Sequence, residues 1–178
     1  MKKMIFAGLC LAVLAAPAFA AESLKVDTSL GCSFSIKLRA DLAPKHIAQI
    51  TKLAAAGAYD NVVFHRVIGG FMAQTGDVQF GKVGADVSAA GTGGSAEPDI
   101  AAEFSPEHFA RGTVGMARSQ DPNSGNSQFF VMFAEGSFLN GQYTVWGQVD
   151  EAGMACVDKI ERGEPPANPD KMTKVTVQ

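Results

Sequence analysis

The chain is poor in the residue types from which metal sites, covalent active sites and nucleic-acid interfaces are built. It contains three histidines, three cysteines and one tryptophan in 178 residues. The histidines do not have the spacing of metal ligands on a helix, and no Gly-x-Ser-x-Gly elbow is present. The formal net charge is −3 and no Lys/Arg-rich run occurs, so nucleic acid and anionic membranes are poor partner candidates.

Two glycine-rich segments superficially match nucleotide-binding motifs. Residues 76–82 end in Gly-Lys as a phosphate loop does, but Val83 stands where a hydroxyl would bind magnesium. Residues 91–96 match a loose dinucleotide fingerprint, yet they follow a predicted loop, and Pro98 comes soon after them. Neither segment therefore predicts a nucleotide site.

The first twenty residues have the pattern of an export signal. Two lysines precede an apolar run at residues 5–16, and Ala18-Phe19-Ala20 fits a small-residue cleavage site. The alternative is a membrane anchor, but the apolar run is shorter than the ~20 residues that a span needs. We predict that residues 1–20 are a cleaved signal peptide and that residues 21–178 form one domain. That domain would be periplasmic or fully secreted and not inserted in a membrane.

The two cysteines outside the signal leave their pairing open. An exported chain can oxidise Cys32 and Cys156 to a disulfide. Cys32 alternates in phase with Phe34 and Ile36, which indicates that it faces the core. Both cysteines can equally be small buried apolar residues, because pairing does not follow from sequence.

Short alternating segments dominate the rest of the chain and predict a mainly β protein, a barrel or a sandwich. Helices are predicted at residues 44–56 and 152–161, the first with Pro44 in its first turn. Residues 76–98 are rich in Gly, Ala and Ser and predict a long surface loop. The predicted strands are residues 31–39, 62–68, 71–75, 112–117, 128–133, 143–149 and 174–177.

Two segments, residues 64–77 and 126–130, combine one cation, three side-chain amides and several aromatic rings. Such a set can hold an apolar ring and donate a hydrogen bond beside it, and a prolyl group in a peptide is a ligand of that kind. Arg66 is the most informative residue, because a cation in an apolar strand is usually paired or functional. The other residues can be ordinary core or strand-end groups, and His65 is expected to be a hydrogen-bonded structural residue.

These segments resemble the cyclophilin family of peptidyl-prolyl isomerases, and in particular its short, exported bacterial members. The similarity keeps its order over most of residues 21–178. It implies a closed eight-stranded antiparallel barrel, capped by two α-helices, with the site on its outer face. The motifs that carry it are Phe64-His65-Arg66-Val67-Ile68, Phe71-Met72, Gln74, Gly76-Asp77, Gly91-Thr92-Gly93-Gly94, Met116-Ala117-Arg118-Ser119, Ser127-Gln128-Phe129-Phe130, Leu139-Asn140-Gly141 and Val145-Trp146-Gly147.

The resemblance also implies the roles of individual residues. Arg66, Phe71 and Gln74 would be catalytic. The substrate-binding residues would be Met72, Ala117, Arg118, Gln128, Phe130, Phe138, Leu139 and Tyr143. Neither a metal nor a cofactor is implied. The partners would be proline-containing segments of exported proteins, whose folding a monomeric, chaperone-like isomerase would assist. The alternatives are a non-catalytic module that binds such segments and a structural surface protein.

The sequence departs from the family pattern at several places around the expected site. Arg118 stands where many relatives carry Asn, and Tyr143 replaces a frequent His. Phe138 aligns with a Trp of eukaryotic members, so we expect weak cyclosporin binding, because a phenyl ring has no N–H to donate. Residues 78–90 match the family poorly, which leaves the preference for particular targets open.

Overall fold

The chain folds around one antiparallel sheet. The computed structural model describes residues 21–84 and 87–178, so the predicted signal peptide at residues 1–20 lies outside the described residues. Within the described residues, the strands follow the order β3-β9-β1-β2-β8-β6-β7-β5-β4. They are β1 (Ser23–Thr28), β2 (Ser33–Leu38), β3 (Val62–Val63), β4 (Arg66–Ile68), β5 (Met72–Thr75), β6 (Thr113–Met116), β7 (Phe129–Met132), β8 (Val145–Val149) and β9 (Lys171–Val177).

The sheet is a curled, open half-barrel, so the prediction of a closed eight-stranded barrel is wrong. Nine strands of residues 21–84 and 87–178 form it, and its edge strands β3 and β4 are not hydrogen-bonded to each other. The cause lies in residues 62–68, which were predicted as one strand. Phe64 donates its backbone N–H to Asp170 O at 2.8 Å, and the strand breaks there. The first half then pairs with β9 and the second with β5.

Two helices pack against the sheet, as predicted. Helix α1 (Pro44–Ala55) begins with the expected proline and buries Ile47 and Ile50. Helix α2 (Glu151–Val157) is shorter than predicted and ends before Ile160, which is nevertheless buried in the core. The apolar period therefore continued past the end of the helix, because the turn that follows also packs inward. No helix in residues 21–84 and 87–178 has both the length and the hydropathy to cross a membrane.

The sheet is apolar on both faces where the site lies. Phe129 and Val131 of β7 belong to the large core, whereas Phe130 and Met132 belong to a smaller cluster on the opposite face. Strand β7 is therefore buried on both sides, although its sequence pattern had predicted a half-buried strand. The smaller cluster supports the outer surface on which the predicted site residues meet.

The structure pairs the cysteines that the sequence left open. Cys32, half-buried in the turn between β1 and β2, is bonded to Cys156 of α2, with their Cα atoms 5.9 Å apart. Strand β1, which the sequence analysis missed, pairs with β2 and β9. The disulfide thus connects this central part of the sheet to a helix 124 residues further along the chain.

Candidate functional site

The hairpin of β4 and β5 brings the predicted cation and the first predicted amide together. Arg66 and Gln74 are directly opposite each other in this antiparallel pair, so their side chains share a face of the sheet. The chain turns at Gly69-Gly70, and Gly70 has a φ of 74°, which favours glycine. Gln74 is in turn opposite Phe130 of β7. The order of the strands therefore places a cation, an amide and an aromatic ring in one row.

This row borders an apolar pocket of about 430 Å³ on the outer face of the sheet. All the predicted site residues except Gln128 line it, together with Gln142, which the sequence analysis missed. Nothing in the sequence around residue 142 distinguishes it, because it reaches the pocket through a loop. The lining residues are Arg66, Phe71, Met72, Gln74, Ala117, Arg118, Phe130, Phe138, Leu139, Gln142 and Tyr143.

The floor of the apolar pocket is a packed aromatic group. Phe130 is 5% exposed and stacks on Phe109 with a centroid distance of 5.7 Å, and the edge of Tyr143 lies 5.9 Å away. Gly115 makes this packing possible, because a Cβ there would lie 2.5 Å from Phe130 Cζ. Phe138 stands at the rim and is 63% exposed. The floor is thus buried and closely packed, whereas the rim is accessible.

Arg66 supplies the positive charge at one side of the apolar pocket. Its Nε donates to Glu164 Oε2 at 2.9 Å, and its side chain is 41% exposed. Its terminal guanidinium nitrogens donate to no acceptor among the described residues. These N–H groups are therefore available to a ligand in the pocket.

A chain of amides fixes the polar end of the site. Gln74 Nε2 donates to Gln128 Oε1 at 2.9 Å, and Gln128 Nε2 donates to the carbonyls of Gly93 and Gly91 at 2.7 and 3.0 Å. The buried carboxylate of Asp77 holds the same loop by accepting the backbone N–H groups of both glycines. Gln128 therefore connects Gln74 to an anchored loop.

A second, more polar cavity of about 400 Å³ continues the site beyond this loop. Gln74, Ala117 and Arg118 line both cavities. The guanidinium of Arg118 lies 4.4 Å from the centroid of the Tyr143 ring and donates to the carbonyl oxygens of Gln142 and Ser119. Arg118 therefore braces the wall between the two cavities.

His65, next to Arg66 in sequence, belongs to neither cavity. It is 6% exposed and packs beneath Gly91, where a Cβ would lie 2.9 Å from its ring. Burial lowers the pKa of His65, which keeps the ring neutral. Gln128 and the backbone of Val63 are polar groups beside the ring that act against this shift, although neither ring nitrogen has a partner of full hydrogen-bond geometry among the described residues. The hydrogen bonding of His65 therefore stays a prediction, and its burial fits a structural role. The described part of the chain also has no group of three or more His, Cys, Asp or Glu side chains placed to hold a metal ion.

Together these features define a class: a curled β-sheet protein with an external groove formed by two adjoining cavities. An apolar pocket with a few convergent polar groups is the usual form of a small-ligand site. Here it opens beside a polar cavity, which gives room for the residues that flank an apolar side chain in a peptide.

Comparison with known proteins identifies the family. Residues 23–177 match the model of the cyclophilin type peptidyl-prolyl cis-trans isomerase/CLD family. A probable peptidyl-prolyl cis-trans isomerase of Brucella suis is 61% identical over 151 residues, which are 81% of this chain and 76% of that protein. The peptidyl-prolyl cis-trans isomerase-like 1 protein of Aspergillus oryzae is 38% identical over 79% of this chain and 82% of its own length.

Solved structures of cyclophilins have a similar fold. Cyclophilin AquaCyp293 from Hirschia baltica has a TM-score of 0.75 and 28% identity, over 88% of this chain and 74% of its own. A cyclophilin from Cryptosporidium parvum, crystallised in the presence of the dipeptide Ala-Pro, has a TM-score of 0.74 and 24% identity, over 88% and 98%. The chain belongs to the cyclophilin family and is a peptidyl-prolyl cis-trans isomerase.

Proposed function

We propose that isomerisation takes place in the apolar pocket, with Arg66 as the group that acts on the prolyl bond. The observation that carries this proposal is the position of the guanidinium, which lines an apolar pocket while its terminal N–H groups have no protein acceptor in the described residues. The proline ring would contact Phe130, Met72 and Leu139, which are all at least 93% buried and belong to one cluster.

The barrier that the enzyme must lower comes from amide resonance. Rotation about a peptide bond costs ~18–20 kcal/mol, because the partial double bond is lost in the twisted state. Uncatalysed X-Pro isomerisation therefore takes about 10–100 s at 25 °C. In the twisted amide the proline nitrogen regains its lone pair and becomes a better hydrogen-bond acceptor. A donor from Arg66 that binds this nitrogen better than either planar form lowers the barrier.

One side of the bond must be held while the other rotates. Gln74 has its amide nitrogen bonded to Gln128, and it lines both cavities. We propose that Gln74 binds substrate backbone, and that Gln128 acts mainly by fixing Gln74. Ala117 would lie beside the residue before proline, with Phe71, Phe138 and Tyr143 at the edges of the pocket. This mechanism moves no proton and forms no covalent bond, so it requires no cofactor.

We further propose that the enzyme acts as a monomer on unfolded or flexible proline-containing segments of exported proteins. The signal-like residues 1–20 and the Cys32–Cys156 disulfide support export, because disulfides persist in oxidising compartments such as the periplasm. Mass spectrometry of the protein from a periplasmic fraction should give an N-terminus at Ala21. An uncleaved chain found only in the cytoplasm would contradict this proposal.

The test of the mechanism is a coupled cis/trans assay on a short Xaa-Pro peptide. We expect Arg66→Ala to fold normally and to lose roughly 2–4 kcal/mol of transition-state stabilisation, the scale for removing one preorganised donor. Arg39→Ala is the matched control, because Arg39 is a partly exposed arginine paired with Asp41 and Glu107 and lines neither cavity.

The control should keep the activity of the unchanged protein. Near-normal turnover by folded Arg66→Ala would refute the role of Arg66. If the unchanged protein bound Xaa-Pro peptides without accelerating their isomerisation, the alternative of a non-catalytic binding module would be correct.

A further inference from the structure

Among the described residues, Arg66 has one ionic partner, Glu164, which lies 98 positions further along the chain. We infer that Glu164 is a positioning residue, which holds the guanidinium of Arg66 in the orientation that serves the prolyl bond. The inference rests on the proposed function of Arg66. Glu164 itself lines neither cavity, so it acts on Arg66 and does not contact the substrate.

The geometry of the ion pair is suited to this role. Glu164 Oε2 accepts from Nε of Arg66 at 2.9 Å. Nε lies on the inner edge of the guanidinium, so this bond fixes the plane of the group while the terminal nitrogens stay available to the pocket. A planar guanidinium held at one edge has its remaining donors in fixed directions. A carboxylate bound to the terminal nitrogens would instead compete with the substrate.

The backbone around Glu164 is held firmly against the strand that carries Arg66. Gly163 and Val67 exchange two backbone hydrogen bonds of 2.8 Å, which form an isolated antiparallel bridge. Gly163 is required at this point, because a Cβ there would lie 2.5 Å from the Cα of Pro166. Pro165 and Pro166 then restrict the chain that follows. Glu164 is thus presented to Arg66 from a restrained loop, at a position adjacent to the bridge.

No other described side chain takes this role. Gln74 lies opposite Arg66 across the hairpin, but its amide nitrogen donates to Gln128, and no hydrogen bond joins it to Arg66. Without Glu164, the half-exposed guanidinium would have no partner in residues 21–84 and 87–178 to fix its orientation. The Arg66 side chain would then occupy several rotamers, and its hydrogen bond to the twisted amide would be weaker on average.

Loss of the ion pair between Arg66 and Glu164 should lower the turnover of the enzyme and leave its folding stability nearly unchanged. The pair is exposed, with side-chain exposures of 41% for Arg66 and 51% for Glu164, and exposed pairs add little to folding. We expect Glu164→Ala to lower kcat/KM by about two- to fivefold, the range that the energy of an exposed pair implies. The loss should fall on kcat with KM unchanged, because the pair orients a group that acts in the transition state.

The experiment uses the full chain and a neutral Xaa-Pro peptide at low and high ionic strength. Salt should lower kcat of the unchanged protein towards that of Glu164→Ala and leave the variant itself unaffected, because salt screens an exposed pair. Glu164→Gln should recover only part of the activity, since its amide oxygen still accepts from Nε but carries no charge. Glu151→Ala is the matched control, because Glu151 also pairs with an arginine, Arg111, and lies at the start of α2.

A double-mutant cycle separates positioning from a general effect. In an Arg66→Ala background, Glu164→Ala should change the residual rate by less than the error, because its only target is gone. Equal losses in both backgrounds, an increase in turnover, or the same loss in Glu151→Ala would overturn the inference. If Arg66→Ala itself keeps full activity, the proposed role of Arg66 fails. Normal turnover of Glu164→Ala beside an impaired Arg66→Ala overturns only the role of Glu164.

Discussion

Removal of the Cys32–Cys156 disulfide should cost this domain a large part of its stability. The bond joins residues 124 positions apart. The chain-entropy relation for a loop of that length gives about 4.9 kcal/mol at 25 °C. Measured values are usually lower, about 2–4 kcal/mol, because the unfolded chain keeps some structure. Native domains have total stabilities of only ~5–15 kcal/mol, so the loss should be easy to detect.

The assay is urea unfolding of the oxidised protein, the reduced protein and the double variant Cys32→Ala/Cys156→Ala. Reduction should lower the midpoint by the equivalent of about 2–4 kcal/mol and raise the m-value, because the unfolded chain expands without the cross-link. The double variant should resemble the reduced protein. Neither cysteine lines the apolar or the polar cavity, so isomerase activity under native conditions should stay the same.

The control is the double variant with and without reductant, which should unfold identically. A change below about 0.5 kcal/mol on reduction, with loss of the bond verified by thiol titration, would refute the loop-entropy reasoning. An equal effect of reductant on the double variant would show that the reductant acts elsewhere.

Two further predictions concern a buried histidine and the rim of the apolar pocket. Burial lowers the pKa of His46 below its usual 6.5, so folding favours the neutral ring. As the pH drops below about 6.5, His46 should therefore reduce the stability by at most ~1.4 kcal/mol per pH unit, in addition to any contribution of His65. Urea unfolding between pH 7.5 and 5 should show the free energy of unfolding falling with pH. The decrease should be smaller in His46→Gln. An equal decrease in the variant would contradict the role of His46. Phe138→Trp should bind cyclosporin about two- to tenfold more tightly by calorimetry, because it adds one N–H donor at the rim. Tight binding by the unchanged protein would refute the reasoning.

Much of the site was predictable because its residues lie in short local patterns. The turn at Gly69-Gly70 returns the chain on itself, so the pairing of Arg66 with Gln74 follows from local sequence. The resemblance to cyclophilins then supplied the rest of the pocket, including Phe130 and Leu139. Gln142 was missed, because it reaches the pocket by way of a loop whose course the sequence does not indicate.

The sequence by itself determined the mainly β class, the two helices and most of the groove residues. The alternation of polar and apolar residues indicates which face of a strand a side chain occupies, but it does not indicate which other strand lies beside it. Only the tertiary structure decided that the strand at residues 62–68 breaks at Phe64, that the sheet stays open, and that Cys32 reaches Cys156. The same holds for the contact of Arg66 with Glu164. The hydrogen bond of Phe64 to Asp170, the disulfide and the ion pair each join residues about 100 positions apart. Such contacts depend on how the whole chain packs, which no local pattern encodes.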